Sequence, residues 1–208
     1  EYKGATDGGK NGLLHAFTKL KLLYQDKQFA HFVVTRAFLL CSALSAPFYI
    51  ILASRQSFEF SLLATFIAVS GLASLVSAPI WGRLSDLSSQ RVLVLSAMLV
   101  TFNGLTVFVI ATWFNHLLSA WWLLPTLYFL LSVAHQGVRL GRKTYLVDMA
   151  QGNKRTDYVA VSNTVIGVLL LLLGSIGLLE SFLSTAELIL LYSLLGFCGA
   201  ISALFLPK

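Results

Sequence analysis

Six apolar runs, near residues 32–53, 60–81, 92–114, 118–139, 159–179 and 186–206, constrain this chain more than any other feature. Each is close to the roughly 20 helical residues needed to cross a hydrocarbon core. They lack the strict alternation of barrel strands, and in lipid the backbone has to satisfy its own hydrogen bonds, so helices follow. The expected fold is an all-α polytopic membrane protein with six transmembrane helices. Short links make sequential helices antiparallel neighbours. Composition agrees: of 208 residues, 57% are hydrophobic and 12% charged, where soluble domains carry about 25% charged residues.

The net charge of +6 is explained by orientation and does not point to nucleic acid. Allotting the links to alternate sides puts fourteen of the fifteen Lys and Arg residues on one side and leaves Arg55 alone on the other. By the positive-inside bias both ends of the segment are cytoplasmic, in a plasma or bacterial inner membrane. Glu59, Glu180 and Glu187 fall near the outer ends and Asp86, Asp148 and Asp157 near the inner ones. No carboxylate is left at mid-membrane to carry protons within this chain.

Residues 1–31 read as a basic cytoplasmic linker, and 32–208 as the membrane domain. Within the linker, Leu13, Leu14, Phe17, Leu20, Leu22 and Leu23 beside lysines fit a surface helix or a solvated tether equally. The chain opens without an initiator methionine and without a cleavable leader, as a fragment or processed piece would. Cys41 and Cys198 lie far apart inside apolar runs, a pattern of packing residues with no metal or redox spacing. No cofactor, phosphate-cradling loop or metal site is expected.

Between the second and third runs lies Gly82-Arg83-Leu84-Ser85-Asp86-Leu87-Ser88-Ser89-Gln90-Arg91, read as a tight cytoplasmic loop. Gly82 suits close packing at a turn, Asp86 can cap a neighbouring helix N-terminus, and Arg91 can pair with Asp86. This stretch resembles the signature loop joining the second and third helices of each half in the major facilitator superfamily. Gly82, Arg83, Leu84, Ser85, Asp86 and Arg91 match it, whereas Leu87, Ser89 and Gln90 depart from it. The resemblance implies the C-terminal six-helix half of a transporter, with Gly82, Arg83, Asp86 and Arg91 forming a cytoplasmic gate latch. It also implies a partnering N-terminal half, a small-molecule substrate and a possible coupling ion, besides the surrounding lipid.

Polar residues inside the runs supply cavity candidates, because each costs free energy in lipid unless it faces protein or water. On the fourth run, Tyr128, Ser132, His135, Arg139 and Arg142 step by four, three, four and three, which places them on one helix face bordered by Gln136. His135 and Arg139 can meet an anionic or polar solute there, although arginines at a membrane edge also snorkel to headgroups. On the first run Thr35, Ser42, Ser45 and Tyr49 share a face, with Pro47 interrupting the ladder. Ser70, Ser74 and Ser77 on the second read as packing residues. The family pattern favours Asn163 on the fifth run over Asn103 on the third as a cavity residue. Residues 140–158 read as a long basic loop.

The expected function is secondary active transport by alternating access, not enzymatic catalysis. A transporter-like scaffold or sensor is the alternative, and an intramembrane hydrolase a remote one. Gly174-Ser175-Ile176-Gly177 lacks the Gly-x-Ser-x-Gly arrangement of a nucleophile elbow.

Overall fold

The computed structural model describes residues 20–55, 60–150 and 154–207, and all its regular structure there is helical. A short turn, α1 (Leu22–Gln25), precedes α2 (Lys27–Phe38), α3 (Cys41–Leu44) and α4 (Ala46–Ser54). Together α2 to α4 form one interrupted span. The breaks at Leu39–Leu40 and Ser45 fall before Pro47, which sits in the first turn of α4, where a missing amide hydrogen costs least. Then follow α5 (Phe60–Leu87), α6 (Ser89–Trp113), α7 (Leu123–Met149), α8 (Lys154–Gly174) and α9 (Thr185–Leu204), with 3-10 turns at Asn115–Ser119 and Ser175–Ser181. Residues 1–19, which include most of the proposed surface helix, lie outside the described residues.

Helix starts are set by local chemistry. Asp26 accepts a hydrogen bond from the Phe29 amide and so caps α2, five residues before the expected start at 32. Ser88 is extended and accepts from the Arg91 amide at 3.3 Å, capping α6. At α9, Ser184 and Glu187 form a reciprocal capping box, with Ser184 N donating to Glu187 Oε2 at 2.7 Å and Glu187 N to Ser184 Oγ at 3.3 Å.

Five spans are long and apolar enough to cross a membrane: α2–α4, α5, α6, α8 and α9. The chain is an integral membrane protein by that measure. The expected sixth, α7, has the length but carries Arg139, Arg142, Lys143 and Asp148 in its second half. It nevertheless runs beside its neighbours for its whole length. Phe66 meets Tyr128, Ser74 meets Gln136 and Ser85 meets Thr144, so α5 and α7 are parallel. Asn103 bonds the Leu127 carbonyl and Gly141 packs on Val92 and Leu93, so α6 and α7 are antiparallel.

Two expectations about links are overturned. Residues 140–149 are helix and not loop, because Leu127, Leu131, Ala134, Val138, Gly141 and Tyr145 continue a buried stripe at helical spacing through the charged stretch. The Gly82–Arg91 stretch is not a loop either. Residues 82–87 finish α5, Ser88 alone makes the link, and Ser89 begins α6.

The core is built on α6, which packs most extensively against α7 and α9. One apolar cluster holds Tyr49, Phe66, Val107, Leu131, Leu188 and Tyr192; a second, at the other end, holds Phe29, Phe32, Leu93, Val138, Tyr145 and Ala203. Helix α8 touches the rest mainly at its first turns, where Tyr158 stacks on Phe29 with ring centroids 4.3 Å apart and donates to Asp26.

Candidate functional site

A polar cavity of about 230 Å³ lies between the α3–α4 corner, α5 and α7. From α7 it receives Tyr128, Ser132, His135 and Gln136; from α5, Ser70 and Ser74; from the corner, Ser42. A second cavity of about 300 Å³ shares Ser74 and Gln136 with the first and extends past Ser77, Trp81 and Gly82 to Arg139 and Lys143. The two adjoin at Ser74 and Gln136 and together make a hydroxyl- and amide-lined passage along the α5–α7 seam, crossed by the bond between those two side chains, with Arg139 and Lys143 at the end nearer the C-terminus of α7. The helical arithmetic explains it: the polar stripe on α7 sits one residue away from the buried stripe, so burying one points the other at α5 and the corner.

The lining is tied together by hydrogen bonds. Ser42 Oγ lies 3.1 Å from His135 Nδ1 and 3.0 Å from the Leu39 carbonyl. A hydroxyl has one proton, so when Ser42 donates to Leu39 the imidazole is the donor through Nδ1, and its Nε2 is left as an acceptor. Gln136 Nε2 donates to Ser74 Oγ at 2.6 Å, and Ser74 donates to the Ser70 carbonyl. Arg139 reaches Gln136 Oε1 at 3.4 Å, a long contact for an exposed side chain.

Of the residues singled out in the sequence, Ser42, Tyr128, Ser132, His135, Gln136 and Arg139 line this passage, and Ser45, Tyr49 and Asn163 do not. Tyr49 is buried in the core, where Asn103 Nδ2 donates to its hydroxyl at 3.0 Å. Ser45 is buried with no partner for its hydroxyl. Asn163 is on the far side of α2, accepting from Arg36 Nη2 at 2.8 Å while Arg36 Nη1 donates to Ser162. Ser70, Ser74 and Ser77, read as packing residues, are lining residues instead. Their spacing of four and three matched that of Tyr128, Ser132 and His135, and this agreement was the available signal.

The Gly82–Arg91 stretch is fastened differently from the expected latch. No carboxylate pairs with Arg83 or Arg91 within 4 Å among the described residues; an ion pair, Arg55 with Glu180, lies at the opposite end. Asp86 caps no helix, because Ser88 does so. A Cβ on Gly82 would meet nothing within 4 Å, so close packing does not require glycine there. Hydrogen bonds, rather than an Arg–carboxylate pair, hold this end. Ser85 donates to Thr144 at 3.0 Å and Ser89 to Asp148 Oδ2 at 2.8 Å; buried Gln90 donates to the Ala203, Leu204 and Leu206 carbonyls, which closes the end of α9. Ser89 and Gln90 are among the positions that depart from the family pattern. Asp86 and Arg91 line a hollow of about 640 Å³ beside these bonds.

No protein-family model, curated protein or solved structure matches the chain.

Proposed function

We propose that this chain is one half of a secondary transporter that moves a small solute by alternating access, as the resemblance of Gly82–Arg91 to the major facilitator superfamily implies. The observation that carries the reading is the polar passage. Ser42, Ser74, Ser132, His135 and Gln136 turn hydroxyl, imidazole and amide groups into a space between α7 and two spans, α2–α4 and α5, that are apolar enough to cross a membrane. Such groups in a membrane helix mark substrate paths, since lipid repays none of their desolvation. On this reading α7 is the sixth span, both ends of the segment are cytoplasmic, and an N-terminal half supplies the opposite wall.

The test is solute flux into vesicles holding the full-length protein, with Gln136→Ala as the variant. Flux for some solute, reduced about tenfold or more in the variant at unchanged membrane insertion, is the expected result. Absence of flux across a broad panel of solutes favours the scaffold or sensor. The Ser42–His135 contact gives the hydrolase reading one specific support. Against it, no carboxylate lines the cavity to orient the imidazole. Covalent labelling of Ser42 by a fluorophosphonate, lost in His135→Ala, would favour the hydrolase over the carrier.

A further inference from the structure

The passage along the α5–α7 seam is interrupted at one point. Its two cavities have only Ser74 and Gln136 in common, and those residues are bonded to each other, Gln136 Nε2 donating to Ser74 Oγ at 2.6 Å. Ser132 and His135 lie on one side of the bond, Gly82 and Arg139 on the other.

The chemistry of this bond suits it to opening and closing. Ser70, Ser74 and Ser77 each donate their one proton to a carbonyl of α5, at Ile67, Ser70 and Ser74 respectively. Their hydroxyls therefore have only lone pairs left for the passage, and the Gln136 amide is the donor that meets them at Ser74. Both partners are half-buried and border cavity space, where water or a solute hydroxyl replaces either of them at little cost. A single exchangeable bond is worth little net, unlike the three by which buried Gln90 closes the end of α9. Arg139, one turn further along α7, donates to Gln136 Oε1 at 3.4 Å and gives the amide a partner on its own helix when it leaves Ser74. The change asks for a new side-chain rotamer and no backbone movement. We propose that Gln136 is the gate of this passage, closed while its amide bonds Ser74 and open when it turns to Arg139. This inference rests on the transport reading and supplies a part that reading needs, since a passage that cannot be shut on one side cannot expose its solute to one face at a time.

The test is thiol accessibility in sealed vesicles holding the full-length protein. Ser132→Cys places a thiol beyond the gate; Gly82→Cys places one before it, where a Cβ has open space. A membrane-impermeant methanethiosulfonate is applied to one face at a time, and modification at each position is followed by peptide mass spectrometry. The face that labels Gly82→Cys is the one on which the second cavity opens. From that face Ser132→Cys should react more slowly than Gly82→Cys, and Ser74→Ala should speed its reaction about two- to tenfold, the worth of one hydrogen bond. Gln136→Ala, which also takes the side chain out of the path, should speed it further. The two variants release the bond from opposite helices, so if one fails to fold the other still decides. The rate at Gly82→Cys should not change, and the buried native thiol of Cys41 should stay unlabelled, which separates an opened gate from a loosened fold. Equal rates at the two positions without a gate variant, no acceleration in either variant, or labelling of Cys41 in step with Ser132→Cys overturns the proposal. So does a Gly82→Cys thiol inert from both faces, which puts the barrier elsewhere. Acceleration without flux of any solute would remove the carrier and keep the barrier, whereas flux without acceleration would keep the carrier and remove the gate.

Discussion

The two flanks of α7 use the same small residues for opposite ends. Toward α6, glycine makes room for a neighbour: a Cβ on Gly137 would lie 2.8 Å from Ser96 Cβ on α6, and 2.7 Å from Cε2 of the Trp81 indole that reaches in from α5, while one on Gly141 would press on Leu93 and Val92. The α6–α9 seam continues the pattern, with Gly196 against Thr101 and Cys41. Toward the passage, Gly82 on α5 has nothing within 4 Å of a Cβ, and serines on both helices turn to open space. Small residues in a membrane helix therefore signal contact only where a partner stands opposite. On the passage side they keep a space open.

Gly137→Ala should give the largest effect. Trp81 is fixed by its Nε1 bond to the Val133 carbonyl at 2.8 Å, so neither indole nor helix can withdraw cheaply. Overpacking of this kind costs about 1–3 kcal/mol, and the melting temperature should fall accordingly. Gly82→Ala should stay within about 0.5 kcal/mol of the parent. Equal losses from the two variants would break the contrast between the flanks.

Gln90→Ala comes next. It removes the donor shared by three carbonyls at the end of α9, and orphaned buried polar groups cost about 1–3 kcal/mol, partly recovered here if water reaches the helix end. Faster hydrogen exchange over the last turn of α9, with the α5–α7 side unchanged, would locate the loss on the packed flank. Uniformly faster exchange would show that the two flanks unfold as one unit and that the contrast has no energetic meaning.

The sequence made the all-helical, membrane-spanning character readable, because apolar runs of membrane length follow from solvation, and five of the six expected runs are helices long and apolar enough to cross. It made the polar face of α7 readable too, through the steps from Tyr128 to Arg139, although the next step, Arg142, lines neither cavity. The continuation of α7 to Met149 was hidden from hydropathy, which averages the two faces of a helix and drops once arginines enter one of them. The steps of the apolar face, Leu127 to Tyr145, carried that information throughout. What could not be read was which polar residues meet. Tyr49 and Ser42 lie seven positions apart on one face, yet the breaks at Leu39–Leu40 and Ser45 turn Ser42 to the passage and leave Tyr49 in the core with Asn103. Interruptions in a helix shift its faces, and no periodicity count extends across them.

Asp86→Asn should have the smallest effect on stability and the most informative effect on function. Asp86 is exposed and, unlike Ser85, Ser89 and Gln90, helps fasten no neighbouring helix end. Its neutralisation should therefore leave insertion and melting within about 0.5 kcal/mol of the parent. The family resemblance gives this carboxylate a role in the gate, and a residue that is idle here can have one only if it finds its partner in another conformation or on the other half. Reduced flux in Asp86→Asn at unchanged stability would thus show that this end is fastened in two ways: by the hydrogen bonds of Ser85, Ser89 and Gln90 that hold the fold, and by a charge that acts only during the transport cycle. Normal flux would leave those hydrogen bonds as the whole fastening and remove the latch.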